Sequence, residues 1–322
     1  MNNQDNVPIS VEDEVRWFLA YRTRHGLSWS ALAKETGIPQ GTLSQVISGK
    51  YAGDMQGQAE RLFKFRQKIE SQEERSRSAL AKPTLIPTPT ARRLQFLLEV
   101  AHMGRITVAA TGPGTSKTMV AEEYEASVSS CWLVTMRESN STLSGLLCAI
   151  MKKMGLDSMS GWNRQRSDQI IEHVRGRKGL LIVDEAGFLG LDGLEELRAL
   201  HDATDLGIAL FGNEELLRRI RGGDKSHAYA RLNSRIANSH IQDVPSQGDV
   251  NAFLDAFKVD DGKVRKLLSS VALSPHNGGL REVKQILESA NMLAIADDTA
   301  IELSHIEDAM GSRITQHVGR AA

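Results

Sequence analysis

ITVAATGPGTSKT, residues 106–118, is the stretch from which the fold can be read. Its first six residues are apolar or small and read as a buried strand. Gly112 and Gly114 then allow close turns, and a helix starts at Lys117. A strand, a tight glycine-bearing loop and a helix in that order point successive backbone N–H groups and a helix N-terminus at one place, which suits a phosphate. The candidate nucleotide-binding residues are therefore Gly112, Pro113, Gly114, Thr115, Ser116, Lys117, Thr118 and Met119. Lys117 is expected to reach the β- and γ-phosphates of ATP, and the Thr118 hydroxyl to ligate Mg2+. The loop departs from GxxxxGK[ST] at both glycines, with Thr111 in place of the first and Ser116 in place of the second.

Downstream, three more segments follow in a telling order. LLIVDEA (180–186) is an apolar strand ending in Asp184 and Glu185, 67 residues after Lys117. Asp184 is placed to meet the Mg2+ and Glu185 to polarise an attacking water. LFGN (210–213) ends another apolar run in Asn213, a candidate for positioning that water. GGLRE (278–282) sets Arg281 at a helix start. Between them, YARLNSRIANSHI (229–241) carries Arg231 and Arg235, and a cation on developing negative charge favours phosphoryl transfer. The runs at 106–111, 131–136, 179–186 and 207–213 alternate with amphipathic helices, so a parallel sheet flanked by helices is expected. After Pro245 only helical patterns remain, near 247–258, 262–273, 279–296 and 303–310. This set of motifs resembles the AAA+ ATPases: an α/β core with a small C-terminal α-helical lid. The resemblance implies that Arg235, with Arg231 second, serves as a finger in a neighbouring subunit, and that Arg281 contacts phosphate within its own chain.

Ahead of the core lies a different composition. WSALAKETG and IPQGTLSQVISGK read as two helices around Gly37, with Ser28 as a cap, small Ala33 at the crossing, and Ile38, Leu43 and Val46 as core. An earlier helix carries Val15, Phe18 and Leu19. The pattern is similar to the phage-repressor helix-turn-helix domains, all-α in fold, in which Gln40, Thr42, Ser44 and Gln45 begin the recognition-type helix. A charged helical stretch covers 54–80, and AKPTLIPTPT (81–90), with three prolines, reads as extended. The expected domains are a helix-turn-helix unit at 1–70, a linker at 71–90, an ATPase core at 91–245 and a lid at 246–322.

Composition excludes several alternatives. Of 322 residues, 41% are hydrophobic and 25% charged, and the net charge is −1, so any DNA contact must come from local basic patches rather than bulk charge. Lys152, Lys153, Arg164 and Arg166 are the candidates in the core. Cys131 and Cys148 have no metal spacing and read as apolar fillers in a reducing, cytoplasmic setting. Trp132, Leu133 and Val134 are expected in the core. No apolar run reaches the ~18 residues of a membrane span. There is no nucleophile elbow and no nuclease carboxylate cluster.

GTLSQVISGKYAGD, LLIVDEAGFLGLDGLEELRAL, LGIALFGNEEL, ARLNSRIA and GGLREVKQIL resemble the Mu B family of phage transposition proteins, over about residues 25–310. The resemblance implies an ATP- and Mg2+-dependent, largely sequence-independent binder of double-stranded DNA. It also implies self-assembly as a helical homo-oligomer on target DNA, and a transposase as partner, in the host bacterial cytoplasm. An ATP-regulated transcription factor, a helicase-loader ATPase and an ATPase that holds nucleotide only structurally remain the alternatives.

Overall fold

The computed structural model describes residues 9–78, 85–156, 161–222, 226–275 and 277–313. The chain divides into two units, Met1–Ala81 and Lys82–Ala322.

The first unit is all helical: α1 (Val11–His25), α2 (Trp29–Thr36), α3 (Gln40–Ile47) and α4 (Met55–Ser78). Ser28 caps α2 by accepting from the Ala31 amide at 3.2 Å. Gly37 ends α2 at φ 68°, a left-handed conformation that favours glycine. Phe18, Leu32, Ile38, Leu43 and Val46 form the core with Leu62 and Phe65 of α4. Leu19, by contrast, is exposed: it follows Phe18 by one position and so falls about 100° round the helix from it. Glu14, buried on α1, meets Arg66 of α4 at 3.0 Å. The charged stretch read as helical over 54–80 is α4, which runs on to Ser78, and of the stretch 81–90 read as extended, Pro89 and Thr90 begin the next helix.

In the second unit the order is α5 (Pro89–His102), β1 (Ile106–Thr111), α6 (Lys117–Ser127), β2 (Cys131–Thr135), α7 (Leu143–Met154), α8 (Asn163–Val174), β3 (Leu180–Asp184), α9 (Leu191–Thr204), β4 (Gly207–Gly212), α10 (Glu214–Gly222), α11 (Ser226–Asn233) and β5 (Ile236–Gln242). The described strands form one parallel sheet in the order β2-β3-β4-β1-β5. Strands buried on both faces read as continuous apolar runs, and β1, β3 and β4 are buried along their whole length. Ile106, Val108, Val183 and Leu210 face one core, built with α7, α8 and α9. Ala109, Ile182, Ala209 and Phe211 face the other, against Leu94, Leu97 and Leu98 of α5. Leu133 and Val134 are buried as expected, whereas Trp132 is half-buried, its ring 5.8 Å edge-on from that of His173. Cys131 is buried and its thiol is pushed up to about 12, chiefly by desolvation; Cys148 is half-buried. β5 does not stand out in the sequence: it is a polar edge strand, IANSHIQ, none of it fully buried.

The lid follows as α12 (Gln247–Ala256), α13 (Gly262–Leu273), α14 (Leu280–Ala296) and α15 (Leu303–Gly311), within two residues of the sequence-based limits. Its base is held by Asp249, which is 1% exposed. This carboxylate accepts from the Thr90 amide (2.7 Å) and hydroxyl (2.6 Å), from the Ser246 amide and hydroxyl (both 2.7 Å), and from Gln242 Nε2 (3.2 Å). It thus joins the starts of α5 and α12 to the end of β5. Burial would raise its pKa, but the bonds from Thr90 and Ser246 outweigh burial and hold the carboxyl below its ordinary value of 3.8. A lowered folded pKa contributes stability that is complete above the unfolded pKa and is lost as pH falls through the folded one. Asp249→Ala is therefore expected to cost about 3 kcal/mol at neutral pH, because two amides and two hydroxyls lose a buried charged acceptor. The deficit relative to the parent should shrink below about pH 4. Urea unfolding followed from pH 7 down to about pH 2 checks both parts, and a deficit that stays the same throughout would remove the carboxylate's charge from the account.

Among the described residues, no helix is long and apolar enough to cross a membrane. No group of three or more His, Cys, Asp or Glu side chains among them is arranged to hold a metal ion.

Candidate nucleotide site

The loop between β1 and α6 builds the site. Its hydroxyls hold it together: the Thr111 and Thr115 hydroxyls are 2.6 Å apart, and Thr115 donates to the Gly112 carbonyl at 2.9 Å. Thr111, at the position of the usual first glycine, is fully buried and takes part in this hydrogen bonding. A Cβ at Gly112 would overlap the Asp243 carbonyl, and one at Gly114 would overlap the Gly278 carbonyl and stand 2.9 Å from the Arg281 amide. The two glycines are therefore required by backbone packing, the first against the end of β5 and the second against the start of α14. Gly279 answers from the lid: a Cβ there would lie 2.7 Å from the Pro113 carbonyl.

Ser116 sits at φ 66°, left-handed, where the motif ordinarily has glycine. A non-glycine residue there carries roughly 1–2 kcal/mol of strain, and a glycine would lose somewhat more chain entropy on folding. Ser116→Gly is accordingly expected to stabilise the nucleotide-free protein by about 0.5–1 kcal/mol. Ser116→Val, β-branched, is expected to destabilise it. Denaturant midpoints of the two variants should move in opposite directions.

A cavity of about 340 Å³ opens over this loop, lined by residues 113–119 with Glu185, Ile86, Phe253, Leu280, Arg281 and Lys284. Lys117 Nζ donates to the Thr111 and Gly112 carbonyls, the latter at 3.1 Å. Burial is the largest influence on its pKa and lowers it. The Glu185 and Asp184 carboxylates oppose that shift, and Arg281 adds to it. Thr118 Oγ1 donates to Asp184 Oδ2 at 2.7 Å, so two hard oxygen ligands stand side by side. That pair fits Mg2+, which takes few protein ligands and completes its shell with water and phosphate. Glu185 stands at φ 54° at the head of a short turn, Ala186–Phe188.

The other sequence candidates divide. Arg281 lines the cavity. Asn213 does not; it lines a neighbouring hollow of about 590 Å³ on the other side of Pro113, with Gly112, Glu214, Glu215 and Arg218. Its Oδ1 accepts from the Leu216 amide at 3.3 Å, and a Cβ on Gly187, in the turn after Glu185, would come within 3.4 Å of it. Arg231 is exposed and Arg235 half-exposed; neither lines the cavity. Arg235 pairs with Asp202 at 2.9 Å, and that bond is the main influence holding the Asp202 carboxyl below its usual range.

The basic candidates for DNA do not form one patch. Arg166 is half-buried and donates to Ser144, at the start of α7, and to Asn163, at the start of its own helix α8. Lys152 and Lys153 lie at the far end of α7, and Lys153 pairs with Glu125 at 2.9 Å. Eight residues of helix, ~12 Å, separate the two ends. Lys152 and Arg164 are exposed, Arg164 with Asp168 at 4.0 Å. On α3, Gln40, Ser44 and Gln45 are exposed and Thr42 is half-buried. Ile86, Phe253 and Lys284 went unread because their place in the cavity depends on tertiary packing. Lys284 alone had a signal, lying one turn after Arg281.

Comparison with known proteins agrees with this layout. Residues 102–220 match the family model described as an AAA domain, 234–312 that of the Mu B transposition protein, C terminal, and 19–52 a helix-turn-helix model. The ATP-dependent target DNA activator B of Escherichia phage Mu is 30% identical over 268 residues, covering 83% of this chain and 84% of the relative. The Mu-like prophage FluMu DNA transposition protein B of Haemophilus influenzae is 31% identical over 268 residues, covering 82% and 92%. A structure of Drosophila ORC bound to DNA superposes with a TM-score of 0.51 at 15% identity, over 77% of this chain and 67% of that one, a likeness of fold alone.

Proposed function

The chain belongs to the Mu B family of transposition proteins and carries its AAA ATPase domain, and from that premise we propose that it is an ATP-dependent DNA-binding protein that coats target DNA without sequence preference as a helical homo-oligomer, recruits a DDE-type transposase and stimulates it. The site of action is the bacterial host cytoplasm. The observation that carries the reading is the single cavity that collects Lys117, Thr118, Glu185 and Arg281 beside Asp184, on a chain that also bears a helix-turn-helix.

In this reading ATP binds with its phosphates on the 112–118 loop. Lys117 exchanges its two carbonyl partners for phosphate oxygens. Thr118 and Asp184 would hold Mg2+, which would neutralise phosphate charge. Glu185 orients and polarises the attacking water, with Asn213 behind it against Gly187. Arg281 draws the lid onto the phosphates. Arg235, offered outward by Asp202, or Arg231 completes the site of a neighbouring copy, so that hydrolysis depends on assembly. DNA is met by Lys152 and Arg164 on the core and by Gln40, Thr42, Ser44 and Gln45 on the helix-turn-helix. Lys153 and Arg166 contribute only if their internal partners release them.

The test is electron microscopy of the protein on a random-sequence duplex with ATP, with ADP and without nucleotide. Continuous filaments with ATP alone are expected. Discrete particles at one sequence would favour a transcription factor, and assembly indifferent to nucleotide would favour a structural role for ATP.

A further inference from the structure

Glu185 is held in a left-handed conformation, φ 54° and ψ 38°. A non-glycine residue there persists only where its surroundings hold it. Within the turn, the Phe188 amide donates to the Glu185 carbonyl and the Leu189 amide to that of Ala186, both at 3.1 Å. The Glu185 amide also donates to Asp184 Oδ1 at 2.9 Å, and a further hold comes from α10. Arg219 sends one guanidinium nitrogen to the Gly187 carbonyl and another to the Leu189 carbonyl, each at 2.8 Å. Two parallel bonds from one planar fork fix position and orientation together. The guanidinium thus acts on backbone, with no carboxylate in either bond. α10 is the helix that Asn213 caps, and it packs against α11, whose last turn carries Arg231 and is followed by Arg235.

We propose that Arg219 is a positioning residue for ATP hydrolysis: it clamps the Gly187 and Leu189 carbonyls and so fixes the backbone that aims Glu185, linking the water-polarising carboxylate to the helix pair that carries Arg231 and leads to Arg235. The proposal rests on Glu185 acting on the attacking water. Without the clamp the turn relaxes towards a less strained conformation and the carboxylate moves off its line, whereas the phosphate loop, which Arg219 does not touch, is unaffected.

Three variants of the full chain test it: Arg219→Ala, Glu185→Gln and the double variant, each assayed on duplex DNA at saturating ATP, with ATP affinity and melting temperature measured alongside. Arg219→Ala is expected to slow turnover by roughly ten- to a hundredfold, the range a displacement of about 1 Å produces, with affinity and melting temperature little changed. The double variant should be no slower than Glu185→Gln, because two residues acting through one carboxylate do not add. Unchanged turnover in Arg219→Ala, an affinity loss that matches its rate loss, or a double variant slower than Glu185→Gln by the full Arg219→Ala factor would each overturn the proposal. Should Arg219→Ala melt early, Arg219→Gln, which keeps one donor on a similar stem, gives the same readings; normal turnover there would refute the clamp. If Glu185→Gln itself hydrolyses ATP normally, the assignment of Glu185 falls, and the role of Arg219 with it.

Discussion

Lys117→Ala is expected to lower ATP affinity by on the order of a hundredfold and, if the proposed function holds, to abolish nucleotide-dependent DNA coating. In the folded chain this ammonium is already stripped of much of its water, which depresses its pKa, and it spends its protons on two carbonyls of its own loop. A phosphate offers negative charge in place of a neutral carbonyl, and a bond to a charged partner contributes about 1.5–3 kcal/mol. Losing about 3 kcal/mol corresponds to that hundredfold change. At ATP one hundred times the parent's Kd, the parent gains about 2.7 kcal/mol of stability and the variant only about 0.4. The check is the thermal shift on adding ATP. The nucleotide-free variant should melt somewhat below the parent, because the carbonyl of buried Thr111 loses its donor, so the comparison is the ATP-induced shift within each protein. An equal ATP shift in both would contradict the placement of Lys117 on the phosphates.

Much of this site was legible in the sequence because its chemistry is local. The loop, Asp184 and Glu185 follow strands whose apolar runs announce themselves, and strand ends in a parallel sheet deliver neighbouring side chains to one edge. The lid helices were legible for the same reason, since amphipathic periodicity does not depend on partners. What the sequence hid is what packing creates. β5 is a polar edge strand, and nothing in IANSHIQ marks it as the fifth of the sheet until β1 pairs with it. Thr111 reads as a lost glycine, yet its hydroxyl is bonded inside the loop. Ile86 sits in a Pro-rich segment that reads as a featureless linker, and it forms a cavity wall because Asp249 holds Thr90 from 159 residues away. The basic residues show the opposite error. Lys153 and Arg166 look like free surface charge in sequence, but both are engaged internally, by Glu125 and by Ser144 with Asn163. Charge is visible in a sequence, whereas its partner rarely is.

Glu185→Gln separates binding from hydrolysis and is expected to have the largest effect on turnover. The substitution keeps the length and shape of the side chain, and it keeps the φ of 54° equally strained, so the fold and the ATP affinity should stand. The amide cannot accept a proton as the carboxylate can, and removal of a general base typically costs 10²- to 10⁴-fold, about 3–5 kcal/mol of barrier. A consequence follows for DNA. If ATP-bound protein is the form that holds DNA, a variant that binds ATP but does not split it should remain on a duplex after excess competitor is added, while the parent leaves as it turns over. Asp184→Asn should differ, since Asp184 accepts from Thr118 and the pair is suited to the Mg2+ that accompanies ATP; it is expected to lose affinity as well as turnover. Phosphate release at saturating ATP and dissociation from labelled duplex measure the two consequences independently. Slow hydrolysis with normal dissociation would mean that release from DNA is not driven by turnover at this site, and normal hydrolysis would move the water-polarising role away from Glu185.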